Sequence, residues 1–248
     1  PLVNWRAMTR LISAEAAIMI FVTALGSWLS SNQPPSRDSQ QPFDAALSIA
    51  GMPMPEAPNF RRILFEYDPS VFMIGLLVLA VALYIKGVVV LTRRGDKWPV
   101  GRTISFALGI AVIDFATSGG LGLYAHFSFS YHMIAHMLLA MIAPIGLVLG
   151  APMTLALRTL PQGRTPTERG VRGSLLAALH SKIGTFYTNP IVALLIFDGS
   201  LFALYFTDLF ASMMQSHIGH LFMTLHFLAA GFLFFFVVIG IDPNPRKI

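Results

Sequence analysis

The chain contains no cysteine in 248 residues, which excludes disulfides and thiolate metal sites alike. Charge is scarce as well: only 12% of residues are Asp, Glu, Lys or Arg, about half the share usual in a soluble domain. No internal repeat is visible, and the first residue, Pro1, is followed by no basic–apolar–small leader pattern, so the chain is expected to be a piece of a longer polypeptide. A net charge of +5 would suit nucleic acid, but the cations sit in short loops between apolar runs, so no nucleic-acid partner is expected.

What is there is hydrophobic. Apolar residues make up 55% of the chain and the mean hydropathy is +0.67. Several runs approach the ~20 residues needed to cross a bilayer core, and a spanning segment of that length must be a helix to satisfy its own backbone. The expected fold class is therefore all-α, a polytopic transmembrane helical bundle in contact with membrane lipid. Six spans are expected, near 9–30, 70–92, 102–123, 131–157, 189–211 and 217–240.

The cations orient them. Arg6, Arg10, Arg93, Arg94, Lys97, Arg102, Arg158, Arg164, Arg169, Arg172, Lys182, Arg246 and Lys247 flank one side, against Arg37, Arg61 and Arg62 on the other. By the positive-inside rule both ends of the chain are cytoplasmic. Residues 31–69, rich in Pro, Ser and Gln, form an outer connector, and VRGSLLAALHSKIG reads as a short interfacial helix. Lys86 lies near the cytoplasmic end of its span and snorkels to the headgroups. In the fourth span, GLVLG (Gly146 to Gly150) is a small-xxx-small pattern that admits a close helix neighbour, and Pro144 is expected to bend the helix.

On this topology His126, His132, His136, His217, His220 and His226 all fall in the outer third of the membrane, and only His180 is cytoplasmic. His132 and His136 are four apart and share a helix face, a spacing that can hold one metal ion between two imidazoles. In the last span His220 and His226 diverge by about 120°, so both cannot point at one atom. The expected centre joins His132 and His136 to His226, with His220 or a methionine as a fourth ligand. Met133, Met137, Met141, Met213, Met214 and Met223 are interleaved with these histidines, and Met52 and Met54 lie in the connector. Imidazole with thioether and no thiolate is a ligand set for Cu(I), although each methionine alone also serves as a core filler. Histidines that merely hydrogen-bond to neighbouring helices are the competing reading. Glu15, Asp114 and Asp198 lie within spans, the two aspartates near the middle, where a carboxylate is costly and is expected to face the bundle.

The runs RILFEYDPSVF, KWPVGRTISFALG, YHMIAHMLLAMIAPIGLVLGAPMTLALRTLP and HLFMTLHFLAAGFLFFFVVIGIDPNP resemble the CtaG-type cytochrome c oxidase assembly proteins over about residues 60–248. NWRAMTRLISAEAAIMIFVTALGSWL resembles the last helix of a CopD-type copper-resistance membrane domain. The resemblance implies a terminal CopD-like helix at 1–35, a connector at 36–69 and a CtaG-like membrane domain at 70–248, truncated at its C-terminus. It also implies a non-enzymatic copper-handling assembly factor of the bacterial inner membrane that works with oxidase subunits. His132, His136, His220 and His226 are its candidate copper ligands, and the rest of a longer CopD–CtaG chain is a further partner. Two other classes stay open: a haem-binding subunit with axial imidazoles from two helices, and a structural subunit of a respiratory complex. A di-iron oxygenase would need several histidine boxes facing the cytoplasm, whereas this chain has one HxxxH on the opposite side.

Overall fold

The structure is a computed structural model that describes residues 46–47, 52–163, 170–214 and 216–243. They belong to one compact unit, Ala46–Ile248, and are helical with no strand. The expected first span, Glu15 and the CopD-like segment lie outside the described residues.

Four of the described helical segments are long and apolar enough to cross a membrane. They are α2 (Val71–Arg93), α3 (Val100–Thr117), the rod Phe129–Thr159 and the last helix, whose apolar part is Ile218–Ile239. Their outer surfaces carry large apolar side chains: Val71, Val78, Leu79, Leu83 and Ile85 on α2 are all more than half exposed. Such a surface is stable against lipid and not against water.

The count of six spans is not reached among these residues, and two boundaries move for local reasons. The third expected span, 102–123, stops at Thr117, where Ser118 and two glycines interrupt it before α4 (Gly120–Ala125). The preceding connector, with α1 (Phe60–Phe65), closes over this break: the Asp68 amide donates to the Ser118 carbonyl at 2.7 Å. A side chain at position 120 would collide with the Arg62 carbonyl, so glycine is required there. The fifth expected span, 189–211, is a 16-residue helix, Pro190–Tyr205, followed by a separate turn of helix, Leu209–Met214. Between them the Thr207 hydroxyl donates to the Ala203 carbonyl at 2.6 Å and accepts from the Leu209 amide at 3.2 Å, ending one helix and starting the next.

The rod is continuous but not uniform. It runs through α5 (Phe129–Met137), a π turn (Leu138–Ile142), α6 (Ala143–Leu149) and α7 (Pro152–Thr159). The π turn answers to Pro144, which has no N–H to give and whose ring crowds the carbonyl four residues back. That carbonyl, of Ala140, is directed at Gly231 of the last helix, where any Cβ would strike it. A second break comes at Ala151, a buried residue held at φ 49°, ψ 53°.

Close crossings hold the rod in place. A Cβ on Gly146 would lie 2.8 Å from the Gly109 Cα, and one on Gly150 would lie 2.7 Å from the Phe106 Cβ, so the GLVLG stripe is the seam against α3. The Tyr84 hydroxyl, its ring stacked 4.0 Å from Phe106, donates to the Gly150 carbonyl at 2.9 Å and ties α2 to the same seam. The guanidinium of Arg94 reaches the last carbonyls of α7, at Arg158 (3.1 Å) and Thr159 (3.4 Å), a favourable cation at a helix C-terminus. After α8 (Gly170–Leu179), α9 (Lys182–Tyr187), α10 (Pro190–Tyr205) and α11 (Leu209–Met214), Ser216 opens the last helix, α12 (His217–Ile239), by accepting from the Gly219 amide, and Gly240, at φ 62°, closes it.

Candidate metal centre

The i, i+4 spacing of His132 and His136 survives in three dimensions: α5 carries both rings on its buried face with centroids 4.1 Å apart. The two residues are 1% and 2% exposed, and none of their four ring nitrogens makes a hydrogen bond of normal geometry. Aromatic edges fix them from the sides, Phe210 against His132 at 5.3 Å and Phe227 against His136 at 4.8 Å.

The third member comes from α12. His220 brings its ring to 5.6 Å from His132 and 6.2 Å from His136. One nitrogen from each of the three rings lies within 4.8 Å of the others. Three nitrogens bound to one ion at ~2.0–2.1 Å lie about 3.4–3.6 Å apart, so the rings have to draw together by roughly 1 Å to complete the geometry. Buried imidazoles without a well-formed hydrogen bond are costly unless something binds them, and three imidazoles this close together are a metal-binding set.

His226, expected at this centre, is elsewhere. It stacks on Phe222, 6.3 Å between centroids, and lines a separate cavity of about 180 Å³ with Met213 and Met223. The reason is rotation about the α12 axis. Met223, Thr224, Phe227, Ala230 and Gly231 are its buried stripe, and His220 stands on that stripe while His226 stands off it. The 120° divergence legible in the sequence held, and the packing chose the other histidine. A signal did exist: Thr224 and Gly231, small residues seven apart, mark the packed face, and His220 is one turn before Thr224.

The remaining candidates separate cleanly. His217 opens α12, and His180 is exposed. Met223 is buried, Met133, Met137, Met213 and Met214 are half-buried, and Met141 and Met54 are exposed. Asp114, expected near mid-membrane, lies one turn from the end of α3 because that helix stops early, and it accepts from the Tyr67 hydroxyl at 3.1 Å. Asp198 sits mid-helix on an exposed face rather than toward the bundle.

A model of the family described as cytochrome c oxidase caa3 assembly factor, CtaG type, matches residues 82–248, well over half of the chain. The chain belongs to that family. Among curated proteins, uncharacterized proteins of Mycobacterium bovis and Mycobacterium tuberculosis are each 43% identical over 211 residues, 83% of this chain. An uncharacterized protein of Mycobacterium leprae is 38% identical over 208 residues. In each case the match covers 31% of the relative's length, so the chain spans about a third of the proteins it resembles. No solved structure matches it. The CtaG match takes in every histidine named above and so contains the whole triad.

Proposed function

We propose that this CtaG-family chain holds copper as cargo at His132, His136 and His220 and hands it to a cytochrome c oxidase during assembly. The observation that carries the reading is the burial of four ring nitrogens on His132 and His136, none of them in a hydrogen bond of normal geometry. A structural histidine in such a place donates or accepts; a ligand keeps its lone pair for a metal. Three neutral imidazoles suit copper and zinc alike, and the membership in an oxidase assembly family favours copper.

The chemistry is ligand exchange: metal–nitrogen bonds form on loading and break on delivery, and no covalent bond of a substrate is altered. On this reading the chain is not an enzyme, and its partners are oxidase subunits. On this reading the membrane is a bacterial inner membrane, and the positive-inside pattern supports an outer-face position for the triad, the side from which an oxidase copper site can be filled. Residues 1–35 are read as the last helix of a CopD-like domain preceding the CtaG domain.

Metal analysis of the purified chain, loaded with Cu(I) and desalted, tests this. One copper per chain is expected, lost in His132→Ala, His136→Ala and His220→Ala and retained in His226→Ala. Copper at background, or unchanged content in the triad variants, defeats it. A Soret band in the same sample would redirect the pair to haem.

A further inference from the structure

His132 and His136 are too deeply buried for an ion to reach them from solvent directly, which raises the question of the path. A cavity of about 230 Å³ adjoins the triad and is lined by His136 and His220 together with Ser70, Met73 and His126. A single water needs only about 10–15 Å³ of such space, so there is room for an ion with part of its hydration shell. Ser70, on the wall, is half-buried and directly follows the exposed connector residues Asp68 and Pro69, so this end of the cavity lies at the edge of the outer connector.

His126 stands where such an ion would pass. It follows α4 directly, and its Nδ1 is 2.9 Å from the Gly122 carbonyl oxygen. A carbonyl can only accept, so Nδ1 carries the proton, which in the neutral ring leaves the lone pair on Nε2, the tautomer a metal ligand needs. Its ring is 4.9 Å from that of His220, closer to it than either buried partner. The imidazoles thus form a file from the half-buried His126 through His220 to the buried pair. The wall also carries a soft donor the sequence reading passed over, the buried thioether of Met73.

We propose that this cavity is the way in for Cu(I), with Nε2 of His126 as the first ligand and His220 as the group that carries the ion across. The inference rests on the triad being the copper site. In the handover the bond from copper to His126 breaks as bonds to His132 and His136 form, while His220 stays bound. Copper remains Cu(I), the imidazoles remain neutral, and no proton or electron moves.

The test is the rate and the extent of Cu(I) transfer from a coloured chelator to the full chain in detergent, for wild type, His126→Ala and His126→Gln. The Gln side chain can still donate to the Gly122 carbonyl, so it guards against a folding defect in the Ala variant. The expected result is one copper per chain in all three, with loading roughly tenfold slower in both variants, a barrier higher by about 1.4 kcal/mol. Loading at the wild-type rate overturns the route and leaves the triad standing. Loss of bound copper in a folded His126 variant also overturns it, by making His126 a resident ligand. A wild-type chain that takes up no Cu(I) overturns the triad and the route together.

Discussion

Beside one end of α12, the two imidazoles carried by α5 are buried without a hydrogen bond of normal geometry; just past the other end a carboxylate is buried as deeply and is bonded three times. Asp242, 2% exposed, accepts from the Met153 amide at 3.2 Å, the Thr154 amide at 2.7 Å and the Thr154 hydroxyl at 2.6 Å. It does the work of an N-cap for α7 from a distant part of the chain, because the residue in the cap position, Ala151, has no side-chain acceptor. The carboxylate also meets the positive end of that helix. Both sites are buried and polar, yet one is satisfied by the protein and the other is not. Satisfied burial stabilises a fold, whereas burial without well-formed hydrogen bonds costs stability, the contrast on which the copper proposal rests.

The comparison can be broken most directly at Asp242. Asp242→Ala should lower stability by about 2–4 kcal/mol, the loss of a cap and of charge-assisted hydrogen bonds, read by thermal or denaturant unfolding in detergent. A loss under about 0.5 kcal/mol would show that the carboxylate is not holding α7. The histidine end should behave in the opposite way, gaining stability only from its ligand. Saturating Cu(I) at a hundred times its dissociation constant should stabilise wild type by about 2.7 kcal/mol, and His136→Leu should remove that gain. If copper stabilises the variant equally, the triad is not where it binds.

A third substitution asks whether the triad depends on the seam below it. Gly109→Val puts branched carbon atoms where even a Cβ would lie 2.8 Å from the Leu147 amide nitrogen. The expected cost is about 1–3 kcal/mol from overpacking, with weaker copper binding because α5 and the π turn belong to the same rod. Unchanged melting would mean the crossing is looser than the structure has it. Without metal, His136→Leu should change stability by less than about 1 kcal/mol, since it trades two unpartnered nitrogens for methyl groups. A large loss there would reveal a hydrogen bond that the structure does not contain. The smallest effect belongs to His226→Leu, expected within about 0.5 kcal/mol and with full copper content. Copper loss in that variant would return His226 to the centre.

How far the sequence could be read follows from which interactions are local. The helical class, the seam at Gly146 and Gly150, the distortion at Pro144 and the shared face of His132 and His136 all depend on neighbours within a turn or two. The early end of α3 escaped because Thr117, Ser118 and Gly119 can continue an apolar helix, and only the connector at Asp68 shows that they do not. The break after Tyr205 escaped for a similar reason, since the competing hydrogen bonds of Thr207 leave hydropathy unchanged. Asp242 was hidden because its partners are 88 and 89 residues away. The choice between His220 and His226 was hidden because a helix may rotate about its own axis without changing a residue.

Composition and period alone determined that this chain is a helical membrane protein with two paired histidines near one end of a helix. They did so because burying a backbone in lipid and spacing side chains on a helix are properties of short stretches. The third imidazole, the cavity beside it and the cap from Asp242 were decided only when helices distant in sequence packed together. Gly231 against Ala140 and Gly109 against Gly146 fix which face of each helix turns inward. Close contact between backbones is the physical reason, and no single segment carries it.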